Sequence, residues 1–388
     1  MHPTEDTFPF LRHLPGPRLV VIKLQYFPDS VKDVKDAIEV FREGCPNVTT
    51  FDCDLLEKDN DVISSLICQW SKLRSVNCPS VVPTIAALTH LSNMPHLRHL
   101  SVSLCDALVD RVRSTWPSPL TFPTLIQYHP QYQRWVTISR FFDHLRLPAV
   151  EQVDVWMDFR PTEEEFQTFL ATLPGTCNHQ SLIDIYIRQY EWMTADYQYI
   201  CFHHLYPLTV FVNLRAIRIK IQRGVDFSEQ ELLQLARSWP RLEVFDVGWI
   251  NVETRALGAI TPGGFVQLLG QCRSLTRFIF PFNTHGYTEV HQRHPWHGLK
   301  MPDGAEIYVG VSPIEEDSIE PLGIFFHVAP FPHFNLDDEW YDLQPLRFEK
   351  HPDVVHQRWE RVRSLARKHR MERDNLLSSL RNRGQHCG

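Results

Sequence analysis

A group of histidines in the C-terminal half has the residue type and the spacing that could bind a metal ion. His291, His294 and His297 recur at every third residue, and His285 lies six residues before the first of them. Three imidazoles can bind zinc when a loop brings them together. Pro295 would break any helix that aligned them, which favours an inserted surface loop without metal. The alternative to a loop without metal is that the chain is a metal-binding protein or an enzyme that uses this loop.

Two further clusters could support chemistry, and each has a simpler structural interpretation. Glu163, Glu164 and Glu165 could act as acid–base groups, but negative charge is also favoured in the first turn of a helix by the helix dipole. His203 and His204 are expected in a partly buried loop. The motifs of phosphate-binding loops, dinucleotide-binding turns, serine hydrolases and zinc proteases do not occur. The sequence therefore predicts no catalytic residue, no metal site and no cofactor.

The elements that would position a site follow a repeated pattern, L-x-x-h-x-h, in which h is an apolar residue. Leu214, Ile217 and Ile219 show it best, and this alternation predicts a strand with one buried face. One copy, which begins at Leu125, is weak because Pro130 occupies its third apolar position. The copies follow one another at about 28 residues, close to the longer leucine-rich repeats. Their first residues, called anchors here, are Leu19, Val48, Leu73, Leu97, Leu125, Val150, Leu182, Leu214, Leu242 and Leu275.

Helix-like segments lie between the anchors. Their predicted N-termini carry N-cap residues at Thr162, Ser228 and Thr261. One strand and one helix per repeat predict an α/β fold, an irregular leucine-rich-repeat solenoid. Strands stack about 4.8 Å apart and helices about 10 Å apart, so we expect an arc or horseshoe with parallel strands on the concave face and helices outside.

The regular side-chain ladder of such repeats is expected to be mostly missing. Only Cys105 and Asn283 occupy the Asn/Cys position eight residues after an anchor. A basic helix near the C-terminus carries Trp359 and is interpreted as a cap on the array in preference to a coiled-coil seam. The predicted organisation is an N-terminal segment 1–16, a repeat array 17–331 of about 10–11 repeats, a linker 332–351, and a basic C-terminal capping helix and tail 352–388.

Composition narrows the class of partner. The formal net charge is −7, from 39 basic and 46 acidic residues, which argues against nucleic acid or an anionic membrane. The nine cysteines include no Cys-x-x-Cys pair, and reduced thiols indicate an intracellular protein, cytoplasmic or nuclear. No secretory signal and no run of about 18 apolar residues occurs, so no membrane span is expected.

The polar face of the predicted sheet is the best candidate for binding. If the anchors point into the core, the residues two, four and six positions later point to the other side of the sheet. In the central repeats these residues mix Trp, Tyr, Arg and Asp, a composition typical of interaction hot spots. The predicted partner-binding residues on the concave face are Gln152, Asp154, Trp156, Asp184, Tyr186, Arg188, Arg218, Lys220 and Asp246.

The chain resembles the leucine-rich-repeat portions of fungal F-box proteins. The resemblance is carried by the stretches PHLRHLSVSLCD, NLRAIRIKI, PRLEVFDVGW, RSLTRFIF and RWERVRSLARKHR. It implies a non-catalytic protein-binding protein related to substrate receptors of cullin–RING (SCF-type) ubiquitin ligases. Only sixteen residues precede the first predicted strand, too few for an F-box, so ligase subunits are expected as partners only if an F-box is supplied elsewhere. A scaffold or regulator unrelated to ubiquitin is the alternative.

Overall fold

The structure is a computed structural model, and its residues group into two compact units. Unit 1 is Met1–Thr194 and unit 2 is Ala195–Gly388. The described residues are 16–25, 41, 44–54, 60–132, 134–189, 199–221, 223–247, 260–280, 282–285, 305–308, 312, 314–328 and 352–384. The predicted linker 332–351 and the histidines at 291, 294 and 297 lie outside the described residues.

Unit 1 alternates strands with helices. Its strands are β1 (Val21–Gln25), β2 (Thr50–Asp54), β3 (Ser75–Cys78), β4 (His99–Leu104), β5 (Leu120–Thr121), β6 (Gln127–Tyr132), β7 (Leu145–Arg146), β8 (Gln152–Met157) and β9 (Asp184–Gln189). Its helices are α1 (Asn60–Ile67), α2 (Ile85–Ser92), α3 (Asp106–Thr115), α4 (Trp135–Asp143) and α5 (Glu163–Thr176). A parallel sheet has the order β1-β2-β3-β4-β6-β8-β9, and β5 pairs with β7.

Unit 2 repeats the same alternation. Its strands are β10 (Tyr199–Cys201), β11 (Ala216–Lys220), β12 (Gly224–Asp226), β13 (Val244–Val247), β14 (Arg277–Ile279) and β15 (Glu306–Tyr308). Its helices are α6 (Phe202–Leu205), α7 (Glu229–Ser238), α8 (Pro262–Gln271), α9 (Ile319–Val328) and α10 (Pro352–Gly384). Strands β11, β13, β14 and β15 pair in that order in parallel, and β10 pairs with β12.

The apolar positions of the repeat form the core of each unit. The anchors from Val48 to Leu275 are buried, and Leu19 is half-buried. Equivalent positions are in register, since Ile217 pairs with Phe245 and Phe245 pairs with Phe278. The predicted fold class is therefore confirmed: each unit is a stack of strand–helix repeats of the leucine-rich-repeat type. The arc itself stays a prediction.

The repeat that begins at Leu125 keeps its strand despite the proline at its third apolar position. Pro130 does not end its repeat, because β6 continues through it and pairs with β4 along its full length. The pairing of β6 with β8 skips His129 and Pro130, and a proline has no N–H to donate on that side. The strand therefore continues while its ladder to β8 is interrupted beside His129.

The predicted helix N-termini are confirmed. Thr162 and Ser228 each accept a hydrogen bond from the backbone N–H three residues later, and each forms a reciprocal capping box with a glutamate. Thr261 accepts from the N–H of Gly264 and is followed by Pro262. Glu163, Glu164 and Glu165 occupy the first turn of α5, where the helix dipole favours negative charge.

Side chains from helix N-termini join successive repeats. Asn60 accepts from the N–H of Val82 at 2.9 Å, and Glu229 accepts from the N–H of Thr261 at 2.9 Å. Cys105 is the N-cap residue of α3 and makes no side-chain capping bond. At these two places, side chains at the helix N-termini link successive repeats.

Helix α10 packs on α9 through its first half. Trp359 is buried, its ring lies 6.4 Å from that of Phe326, and its indole Nε1 donates to the carbonyl of Ser312 at 2.8 Å. Farther along the helix, Met371 and Leu376 are exposed. The role of this helix as a cap stays a prediction. Among the described residues, no helix is both long and apolar enough to cross a membrane.

Candidate functional site

Strands β8 and β9 of unit 1 carry six of the nine predicted binding residues, and the neighbouring strand β6 adds three polar residues that the sequence analysis did not select. Alternate residues of a strand project from the same side of a sheet. The registers Gln127↔Gln152 and Trp156↔Arg188 place these side chains next to one another. We call the resulting set the unit 1 face; its members are Gln127, His129, Gln131, Gln152, Asp154, Trp156, Asp184, Tyr186 and Arg188.

The Arg188 side chain is held between two aromatic rings and a carboxylate. Its Cζ lies 3.3 Å from the centroid of the Trp156 ring and 4.6 Å from that of the Tyr186 ring. Its Nη2 donates to Oδ2 of Asp154 at 2.9 Å. We call these four residues the Arg188 cluster. Cation–π contacts and a charge-assisted hydrogen bond thus fix one guanidinium on the polar side of the sheet.

Two of the predicted binding residues are less exposed than the sequence rule implies. Asp154 and Asp246 are each only 4% exposed. Asp154 lies under Arg188, while Asp246 in unit 2 lies 3.7 Å from Nζ of Lys220. Both carboxylates are buried because longer cationic side chains from the neighbouring strands cover them. Asp154 and Asp246 position those cations.

Burial and charge shift the protonation equilibria at the centre of the unit 1 face. Nδ1 of His129 lies 3.8 Å from Oδ2 of Asp154. Burial lowers the pKa of His129, and the Asp154 carboxylate opposes that effect. Burial raises the pKa of Asp154, and the charge of Arg188 opposes it. At neutral pH the arrangement holds a neutral imidazole beside a carboxylate–guanidinium pair.

Unit 2 has a second arginine–aromatic cluster that sequence reasoning missed. Cζ of Arg277 lies 4.7 Å from the Tyr308 ring centroid, and its Nη1 lies 3.7 Å from Oε2 of Glu306. The Tyr308 hydroxyl donates to that same Glu306 oxygen at 2.8 Å. Arg277 lies two residues after the anchor Leu275, so the rule that selected the other residues would have found it. Arg218 and Lys220 lie on β11, where Arg218 is in register with Asp246.

A row of three residues across β4, β6 and β8 has the composition of a catalytic triad. Ser101 is in register with His129, which lies beside Asp154. The Asp154 carboxylate is paired with Arg188 and not, as a catalytic triad would require, with His129. Its Oδ2 lies 2.9 Å from Nη2 of Arg188 but 3.8 Å from Nδ1 of His129. Nε2 of His129 is buried and hydrogen-bonds to none of the described residues, Ser101 included. The geometry assigns no catalytic role to this row.

Cys201, His203 and His204 are the one group of possible metal ligands among the described residues. Their donor atoms lie within 4.8 Å of one another. The backbone N–H of Cys201 donates to Nδ1 of His204 at 2.9 Å, and the Cys201 sulfur accepts from the His204 backbone. An N–H can only donate, so the neutral ring of His204 carries its proton on Nε2 and has no lone pair left for a metal. The group is better explained as a reciprocal cap of α6.

The predicted histidine loop is described only at its start. His285 is exposed, and its Nδ1 lies 2.8 Å from Oε1 of Glu315. An exposed histidine beside a carboxylate is an ordinary surface pair, so His285 adds no support for a metal site.

No protein-family model and no curated protein matches the chain. Among solved structures, a leucine-rich repeat-containing protein, LegL7 from Legionella pneumophila, matches with a TM-score of 0.36 and 14% sequence identity. The match covers 88% of this chain and 97% of that chain. A TM-score this low decides nothing about function. The class of this protein, a leucine-rich-repeat α/β fold, follows from its own strand–helix repeats.

Proposed function

We propose that this chain is a non-catalytic protein-binding repeat protein that holds its partner on the polar faces of its sheets. The observation that carries the proposal is the Arg188 cluster. Tryptophan, tyrosine and arginine are the residues most enriched at binding hot spots. Here all three lie within contact distance on a half-exposed surface. In unit 1, Gln152 and Asp184 extend this proposed binding surface and the buried Asp154 supports it. In unit 2, Arg218 and Lys220 form a separate proposed binding surface, which the buried Asp246 supports.

The cluster is ordered before any partner arrives. Arg188 is held by Asp154 and by two rings, so little side-chain freedom is left to lose on binding. Immobilising one long side chain at an interface costs about 0.5–1.5 kcal/mol. A surface that is already ordered avoids much of that cost.

Affinity capture with variants tests the proposal. Replacing Trp156, Tyr186 and Arg188 together by alanine should abolish capture of the native partner and leave the protein folded. A control with Arg113→Ala on α3 and Gln167→Ala on α5 changes two exposed residues on helices, not on the strands of the unit 1 face, and should capture normally. Unchanged capture by the triple variant would remove the assignment of the binding surface.

The finer proposal is that the partner is a substrate of a cullin–RING ubiquitin ligase. It is supported by the resemblance of the repeats to those of fungal F-box proteins. If an F-box is supplied elsewhere, capture of the chain from its native cells, followed by mass spectrometry, should enrich a cullin and its adaptor. Enrichment of other proteins without ligase subunits would instead favour a scaffold or regulator outside ubiquitin signalling.

A further inference from the structure

Three glutamines on the unit 1 face have side-chain amides without a hydrogen-bond partner in the described part of the chain. Gln127, Gln131 and Gln152 are half-buried. None of their side-chain amides hydrogen-bonds to any described residue, and none of their polar atoms is sealed from solvent. On β2 and β3 of the same unit, by contrast, Asn77 donates to Asp52 at 3.0 Å. The unpaired amides are therefore a local feature of the strands around the Arg188 cluster.

The glutamines surround the centre of the unit 1 face. Gln127 and Gln152 are in register on neighbouring strands, about 4.8 Å apart. Gln131 lies four residues farther along β6, roughly 13 Å from Gln127, and is in register with Trp156. Four residues of an extended peptide bound on this face would also span roughly 13 Å. A segment lying along β6 would therefore meet an amide group at each end and the Trp156 ring beside it.

A glutamine side chain offers one carbonyl acceptor and one N–H₂ donor, which is the pattern that an unpaired peptide group needs. The main-chain groups of a folded partner are already paired with one another, so only an extended or unstructured segment can use such amides fully. The glutamines are also uncharged, so this recognition does not depend on the sign of charge of the partner.

We propose that the unit 1 face binds an extended polypeptide segment. Gln127, Gln131 and Gln152 hydrogen-bond to its main chain, and the ring of Trp156, fixed by Arg188, packs against one of its apolar side chains. This inference rests on the proposed protein-binding function and deepens it by naming the kind of partner. The segment is recognised mainly through its backbone, so several sequences that share one apolar position should bind.

A random peptide library displayed on phage, selected against the full chain, tests the inference. Selection should enrich peptides that share an apolar residue, and synthetic copies should bind the protein in a fluorescence-polarisation assay. The variant Gln127→Leu/Gln131→Leu/Gln152→Leu keeps side chains of similar size and removes their hydrogen bonds. It should bind the selected peptides on the order of tenfold or more weakly, since each lost bond contributes a factor of several.

The control variant is Gln167→Leu, which changes an exposed glutamine on α5 and should bind the peptides as tightly as the unchanged protein. If the leucine variant fails to fold, the matching glutamate variant removes the N–H₂ donors, keeps the acceptors and should also bind more weakly. Failure to enrich any peptide, or equal binding by a folded glutamine variant, would overturn the inference. The proposed function would still stand if the Trp156, Tyr186 and Arg188 variant loses capture of the native partner.

Discussion

Asp154 shows why a residue on the polar side of a strand need not be exposed. The carboxylate is short, while the arginine of the neighbouring strand is long enough to lie over it. Oδ1 of Asp154 and Nε of Arg188 are both buried without a hydrogen-bond partner among the described residues. The pair therefore depends on the single bond between Nη2 and Oδ2, and its strength can be measured directly.

A double-mutant cycle measures that bond. Asp154→Asn and Arg188→Gln, singly and together, should give a coupling energy of about 1–2 kcal/mol, because the acid is buried while the arginine is partly solvated. The matched control is the pair Arg215–Glu243, at 3.4 Å with side chains 53% and 43% exposed. Its coupling should be below about 0.5 kcal/mol. Equal couplings from urea unfolding of the two cycles would contradict the account.

His204 should make the stability of the protein depend on pH. Burial lowers the pKa of His204 to about 4, from an ordinary value of 6.5. Between these two pKa values, the unfolded chain binds more protons than the folded one. The contribution of His204 to stability is therefore fully present above about pH 6.5 and is lost as the pH falls towards about 4. The loss attributable to this residue is up to about 3 kcal/mol.

Two neighbouring variants separate this effect from general acid unfolding. His204→Gln can still accept the N–H of Cys201, as glutamine does in a capping box, and should flatten the pH dependence. His203→Gln changes the exposed neighbour and should keep the steep dependence. Thermal unfolding of both variants at several pH values, from about 7 down to about 4, measures how strongly the stability of each depends on pH. A steep dependence that survives in His204→Gln would assign it to other groups.

At the scale of the element, a close approach at the start of α8 holds two repeats together. Glu229, the first residue of α7, accepts hydrogen bonds from both the N–H and the hydroxyl of Thr261. A Cβ on Gly264 would lie 2.1 Å from the Glu229 carboxylate, whereas a Cβ on Gly263 would make only an ordinary van der Waals contact, 3.8 Å from Oγ1 of Thr261. The glycine at position 264 is therefore needed for the link between repeats.

Alanine at each glycine tests that link. Gly263→Ala should be neutral or stabilise by about 0.5–1 kcal/mol, because alanine favours the helix. Gly264→Ala should instead destabilise by about 1–2 kcal/mol, because it displaces Glu229 from two hydrogen bonds. Chemical denaturation of both variants measures the difference. Equal effects would mean that the Glu229 contact adds nothing to stability.

At the scale of the whole molecule, a buried residue far along the chain completes the core of unit 2. Trp359→Ala should destabilise the protein by about 3–5 kcal/mol, because it leaves a cavity beside Phe326 and removes a hydrogen bond to Ser312. Met371→Ala on the same helix should change stability by less than about 0.5 kcal/mol, since this side chain is 67% exposed. Differential scanning calorimetry distinguishes the two. A small effect at Trp359 would show that α10 is not needed to cover the core, and would count against its predicted role as a cap.

The sequence by itself determined the repeats, their period and their capping residues. Those features depend on local spacing: an apolar residue at every second position of a strand, or a serine three residues before a glutamate. The anchor positions from Val48 onward and the capping boxes of α5 and α7 were predictable for that reason. The candidate residues on β8 and β9 were also selected by simple alternation.

Only the tertiary structure decided what those polar residues do. Asp154 and Arg188 are 34 residues apart, and neither their contact nor the burial of Asp154 can be read from spacing along one strand. The same holds for Gln127 beside Gln152, for Glu229 beneath Gly264, and for a strand that continues through Pro130. Each depends on which residue of the next repeat lies opposite, and that register is fixed by the packing of the whole core rather than by any one segment.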